Sequence, residues 1–199
     1  MAMSSDKLYG IIVAGVGGQG AITLAQLFLG AAWRSRLHTM QSEVHGMSQR
    51  GGSVNAQISI SKAEVTAPLL LSGAVDLLIS MEPLEALRYV PFLSKNATII
   101  TSTEPTINMD NYPDINLILG ALREIPGTIL VDTAEHAKKL ANKNAGNMVL
   151  LGVASNYTPI DKTIWHTIIE ERFASKGEKV VVKNIEAFDI GKKIIAPSS

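Results

Sequence analysis

LYGIIVAGVGGQGAITLAQLFLGAAW, residues 8–33, decides how the rest of this 199-residue chain is read. Its first part, Leu8–Ala14, is short, apolar and β-branched, the pattern of a buried strand. It runs straight into Gly15-Val-Gly-Gly-Gln-Gly20. Ala21–Trp33 then follows with good helix formers. Strand, glycine turn and helix in immediate succession open a doubly wound α/β fold. The glycines satisfy G-x-G-x-x-G. Their physical uses are a tight turn, backbone N–H groups open to an anion, and close packing of helix on strand. Gly15, Gly17, Gly18, Gln19 and Gly20 are therefore candidates to cradle a phosphate. The same glycines can also serve only to let the helix pack on the sheet. A dinucleotide site needs an acid at the end of the second strand, about 20 residues on. That strand, about residues 37–41, carries none, so NAD or FAD binding is the secondary reading.

Outward from this unit, strand and helix patterns alternate. Residues 53–61 alternate Val54, Ala56, Ile58 and Ile60 with Ser53, Asn55, Gln57 and Ser59. One polar face predicts an edge or half-exposed strand, added antiparallel. Ala74–Ser80 reads as a buried strand. Glu82-Pro83 opens a helix, with proline in the first turn and Leu84, Leu87, Tyr89 and Val90 on its core side. Ala97–Thr101 is a strand, and 104–114 is a polar excursion or small hairpin. A helix over 115–124 and a strand over 128–131 follow. Asp132 or Thr133 caps the next helix. Residues 147–155 form a buried helix, 161–173 an amphipathic one, and 183–193 the last. The expectation is one α/β domain over residues 1–199, with its core about 8–191. Its sheet is mostly parallel and Rossmann-like, with helices on both faces and an antiparallel edge strand.

The polar run Ser42–Val54 (SEVHGMSQRGGSV) stands out from the apolar remainder. It places Glu43, His45, Gln49 and Arg50 within eight residues and punctuates them with Gly46, Gly51 and Gly52. Such a segment reads as a loop outside a sheet edge, where a ligand can reach it. Arg50 can hold a carboxylate or phosphate bidentately. Gly51 and Gly52 allow close backbone approach. Gln49 can donate or accept, and His45 can pass a proton near neutral pH. Glu43 can orient Arg50 or His45, or form with Arg50 an ion pair that merely fixes the loop.

Composition excludes several classes. Lys+Arg and Asp+Glu both number 18, which with few aromatics argues against a nucleic-acid surface. The apolar runs are too short for a membrane span. The N-terminus lacks a signal-peptide pattern, which predicts the cytoplasm. The chain has no cysteine. It therefore offers no thiolate nucleophile and no thiolates to ligate an iron–sulfur cluster. The four histidines lack the spacing of a metal pair, so no metal site is expected. Low net charge suits an obligate complex or a homo-oligomer of the isolated chain.

Three stretches together carry a resemblance: GVGGQG at 15–20, SEVHGMSQRGGSV at 42–54 and EPLEALRYVP at 82–91. Asn142, the run NMVLLG at 147–152, Asn184 and Ala187-Phe188 add to it. The chain resembles the small, cluster-free gamma-type component of 2-oxoacid:ferredoxin oxidoreductases. The second and third stretches are similar to the indolepyruvate branch. Ala141 departs from the glycine more frequent in the family at that place. Thr101-Ser102 departs from a frequent Val-Asn pair. The resemblance implies a heteromeric enzyme whose large partner carries thiamine diphosphate, magnesium and the iron–sulfur clusters. It further implies oxidative decarboxylation of an aryl pyruvate such as indolepyruvate. Coenzyme A would be co-substrate and ferredoxin the electron acceptor. On that expectation Arg50, His45, Gln49 and Glu43 are candidates for one wall of the catalytic site. Gly15, Gly17, Gly18, Gln19, Gly20, Gly51 and Gly52 are candidates for an anion or coenzyme A cradle. The isolated chain would be inactive. The alternatives are a stand-alone dinucleotide- or flavin-binding oxidoreductase and a purely structural subunit.

Overall fold

The chain's structure is a computed structural model, and it describes residues 7–45, 51–140, 142 and 145–194. The opening unit folds as its sequence dictates. Strand β1 spans Tyr9–Val16, and helix α1 spans Ala21–Arg34. The described chain continues with β2 (His38–His45), β3 (Ser53–Ser61), β4 (Val75–Ser80), α2 (Pro83–Arg88) and β5 (Leu93–Ser102). It ends with α3 (Ile115–Arg123), β6 (Thr128–Val131), α4 (Thr133–Lys139), α5 (Ala145–Ser155), α6 (Ile164–Phe173) and α7 (Glu178–Lys192).

The strands form one sheet in the order β2-β3-β1-β4-β5-β6. β1, β4, β5 and β6 run parallel, while β3 is antiparallel to both β1 and β2. The expected antiparallel addition is thus present as an edge pair, with β2 outermost. Its polar face differs from expectation, because it is not solvated. Asn55, Gln57 and Ser59 are buried. The segment before β4 reaches Gln57, whose Oε1 accepts a hydrogen bond from the Leu70 backbone at 2.9 Å. A polar side chain that finds a backbone partner can be buried at little net cost.

β2 also runs further than residues 37–41. Its ladder with β3 continues from His38↔Ser61 to His45↔Val54. Ser42 and Glu43 therefore belong to an edge strand rather than to a loop. No hairpin forms over 104–114. α7 begins at Glu178, earlier than expected, because Gly177 at φ +95° ends the preceding turn there.

Apolar clusters lie on the two faces of the sheet. α1, α5, α6 and α7 cover one, where Phe28 meets Trp165 edge-on with centroids 5.2 Å apart. α2 and α3 cover the other, around Ile12, Leu78, Ile99, Ile118 and Leu122. α5 is buried along nearly its whole length, between the sheet and α7. No helix among the described residues is long and apolar enough to cross a membrane.

Candidate functional site

α1 leaves β1 toward one face of the sheet, and α2 leaves neighbouring β4 toward the other. Such divergence opens a crevice at the carboxyl ends of the two strands, where ligands bind in open α/β sheets. Here it is a cleft of about 520 Å3. Gly18, Gln19 and Gly20 form one side, and Met81, Ser102, Thr133 and Asn147 contribute to the rest.

The glycine turn is braced from within. Gln19 Oε1 accepts from the Val16 backbone at 2.7 Å, and Gln19 Nε2 donates to Thr106 Oγ1 at 2.8 Å and to the Met81 carbonyl at 3.4 Å. Gly18 and Gly20 take positive φ of 100° and 90°, which a side chain would resist. A Cβ on Gly15 would meet Gln19 Oε1 at 2.9 Å. The Val16, Gly17 and Gln19 amides all have partners inside the protein. The anion-facing part of the motif is therefore narrower than the pattern suggests. It is the start of α1, whose N-cap Gly20 supplies no side-chain cap. Uncapped first-turn amides at a long helix attract negative charge.

The glycines predicted from two distant stretches are brought together: the Gly17 N–H donates to the Gly52 carbonyl at 2.8 Å. Glu43 is instead exposed on β2, where it accepts a hydrogen bond from Gln41 Nε2. Two strand spacings, on the order of 10 Å, separate β2 from β1. A dinucleotide site needs its acidic residue on the strand beside β1. Antiparallel β3 occupies that place, which disfavours the NAD or FAD reading. The His45 backbone pairs with Val54. Its side chain, Gln49 and Arg50 lie outside the described residues.

Several cleft residues stand outside the site candidates drawn from the sequence. Ser102 Oγ and Thr133 Oγ1 share a buried hydrogen bond of 2.7 Å, and Ser102 also accepts from the Glu104 backbone at 3.0 Å. They meet only because β5 and β6 end side by side. Asn147, at the start of α5, donates to the Gln19 carbonyl. The described lining brings the carboxylate of Glu104 but no lysine or arginine. An adjoining cleft of about 380 Å3 shares Asn147 and adds Lys176, Lys183 and Asn184. Among the described residues no group of three or more His, Cys, Asp or Glu could hold a metal ion.

The family described as pyruvate ferredoxin/flavodoxin oxidoreductase matches residues 10–194, and the chain belongs to it. Among its relatives is the indolepyruvate oxidoreductase subunit IorB of Archaeoglobus fulgidus. The two are 38% identical over 188 residues, covering 91% of this chain and 92% of the relative. The fold is shared with the 2-oxoglutarate:ferredoxin oxidoreductase of Magnetococcus marinus, whose structure has 2-oxoglutarate, coenzyme A and succinyl-CoA bound. That match has a TM-score of 0.74 and 24% identity, and covers 94% of this chain but 30% of the neighbour's. The gamma subunit of a keto/oxoacid ferredoxin oxidoreductase from Geobacter sulfurreducens matches end to end. Its TM-score is 0.69 at 20% identity, with 92% of this chain and 95% of that one covered.

Proposed function

We propose that this chain is the small, cluster-free subunit of a heteromeric 2-oxoacid:ferredoxin oxidoreductase of the indolepyruvate type. The observation that carries this reading is full-length similarity to a subunit of that name, 38% identical over 91% of the chain. The geometry suits a subunit that completes a site rather than one that houses a cofactor. Thiamine diphosphate, held with magnesium and iron–sulfur clusters by the large partner, would supply the electron sink for decarboxylation. Ferredoxin would take the electrons through the complex.

This chain's own part is to bind and orient. The carboxyl edge of its sheet forms one wall of the composite site. The uncapped start of α1 and the Gly51-Gly52 backbone face a phosphate of coenzyme A. The described cleft brings a carboxylate and no cation, so balancing charge must come from Arg50 or from Lys176 and Lys183 nearby. His45 and Gln49 complete the wall as hydrogen-bonding groups, while Glu43, exposed on β2, stands apart from it. Positioning of this kind contributes by holding reactants in attack geometry.

The test is turnover of the assembled complex carrying Arg50→Ala. A lost charge-assisted contact of roughly 1.5–3 kcal/mol corresponds to a fall of at least about tenfold, with subunits still co-purifying. Unchanged turnover in a well-assembled variant contradicts the assignment of Arg50.

A further inference from the structure

Two carboxylates are buried beside the glycine turn, yet the proposed chemistry uses neither. Glu82 is 1% exposed and Glu85 is 5% exposed. Burying a carboxylate is costly unless it is fully hydrogen-bonded, so their partners say what they are for. Glu82 Oε2 caps α2 by accepting from the Glu85 backbone at 2.8 Å, while Glu82 Oε1 accepts from the Tyr112 hydroxyl. Glu85 Oε2 accepts from Ser53 Oγ at 2.6 Å and pairs with Arg88 Nε at 3.2 Å.

These bonds lead to the two segments that flank the turn. Ser53 directly follows Gly51-Gly52, which the Gly17 amide holds through the Gly52 carbonyl at 2.8 Å. Tyr112 closes the excursion whose Thr106 receives Gln19 Nε2 at 2.8 Å. The two segments are also tied to each other, because Asn108 Nδ2 donates to the Gly51 carbonyl. One short helix thus holds both the glycine pair and the excursion against the turn.

We propose that Glu82 and Glu85 are positioning residues, and that with Tyr112 and Asn108 they form a clamp fixing Gly51-Gly52 in register with the glycine turn. The clamp acts through backbone position and touches no substrate. It rests on the reading that this edge meets coenzyme A, and it adds residues to which that reading assigns no role. The carboxyl-to-hydroxyl bonds set the depth of the cradle, so loosening them weakens coenzyme A binding without altering the chemical step.

The test uses the assembled complex carrying Tyr112→Phe, Glu85→Ala or Glu85→Gln. Tyr112→Phe keeps the ring and removes only the tether, so it carries the test if Glu85→Ala does not assemble. Amide hydrogen exchange is followed at Gly17, Gly51–Ser53 and Thr106–Asn108, alongside KM and kcat with coenzyme A varied. We expect faster exchange at these amides and a KM raised roughly three- to tenfold in Tyr112→Phe and Glu85→Ala. kcat should stay within about twofold, and Glu85→Gln, which can still accept from Ser53, should recover most of both effects. Unchanged exchange overturns the clamp. Faster exchange with unchanged KM overturns its positioning role. Arg50→Ala separates the two claims: full turnover there, with KM raised in Tyr112→Phe, removes Arg50 from the site and leaves the clamp standing.

Discussion

The Asn147 side-chain amide donates to the Gln19 carbonyl, and its nitrogen lies 2.5 Å from where a Cβ on Gly20 would sit. One side chain from α5 therefore seals the far side of the glycine turn and enforces the glycine at its end. Gly20→Ala should destabilise by about 1–3 kcal/mol, from its φ of 90° plus the clash. Asn147→Ala should cost about 1 kcal/mol for the lost bond. The double variant should be more stable than the sum, because removing Asn147 relieves the clash. Denaturant melts of the four proteins check this, and strict additivity would show that the two residues do not meet.

α5 and α7 pack with glycine against glycine. A Cβ on Gly152 would overlap the Phe188 carbonyl oxygen, and one on Gly191 would overlap that of Val149. Backbone cannot yield as a side chain tip can, so Gly191→Ala should destabilise by about 1–3 kcal/mol or more. A thermal melt measures it. A change under about 0.5 kcal/mol would mean that the helices sit further apart.

Gln19 braces its turn by accepting at Oε1 and donating at Nε2. Gln19→Glu keeps the acceptor but turns a carboxylate oxygen toward the Met81 carbonyl, which Nε2 now faces at 3.4 Å. The loss should be about 1–3 kcal/mol at pH 7 and smaller near pH 4, where the new carboxyl regains a proton to donate. Equal losses at both pH values would remove the donor from the account.

Tyr9 and Tyr112 resist ionisation. Burial is the main cause for both, reinforced by the Asp76 charge at Tyr9 and by the Glu82 hydrogen bond and charge at Tyr112. Both phenols stay neutral in the folded protein at pH values where the unfolded chain ionises, near its ordinary 10.0. Between those pKa values the native state holds more protons, so stability falls with rising pH. Stability should be flat up to about pH 9 on this account and decline above about 10. The decline should be shallower in Tyr9→Phe and Tyr112→Phe. Unfolding followed from pH 8 to 11 tests the slope.

Local rules reach far into this fold, and their failures have physical causes. Strand β1, the turn and α1 follow from adjacent residues, as do the helix start at Glu82-Pro83 and strand Thr128–Val131. β2 was legible only in part, because an edge-strand stretch such as Ser42–Val44 has the composition of a loop. β3 shows its alternation, but the burial of Gln57 depends on Leu70, which local pattern cannot place. The site divides in the same way. Gly15–Gly20 announce themselves, whereas Ser102, Thr106 and Thr133 come from separate segments and meet only at the sheet's carboxyl edge. The buried Glu82 was visible as a helix start, with nothing local to say that Tyr112 would cover it or that Ser53 would meet Glu85.

The most direct measurement is an oxygen-free pull-down with this chain as bait from its native cell extract. The eluate is assayed for ferredoxin or viologen reduction with indolepyruvate and coenzyme A. The expected result is recovery of a large partner containing thiamine diphosphate and iron, with activity that needs both substrates. Recovery of the chain alone, carrying a bound nicotinamide or flavin nucleotide, would contradict it.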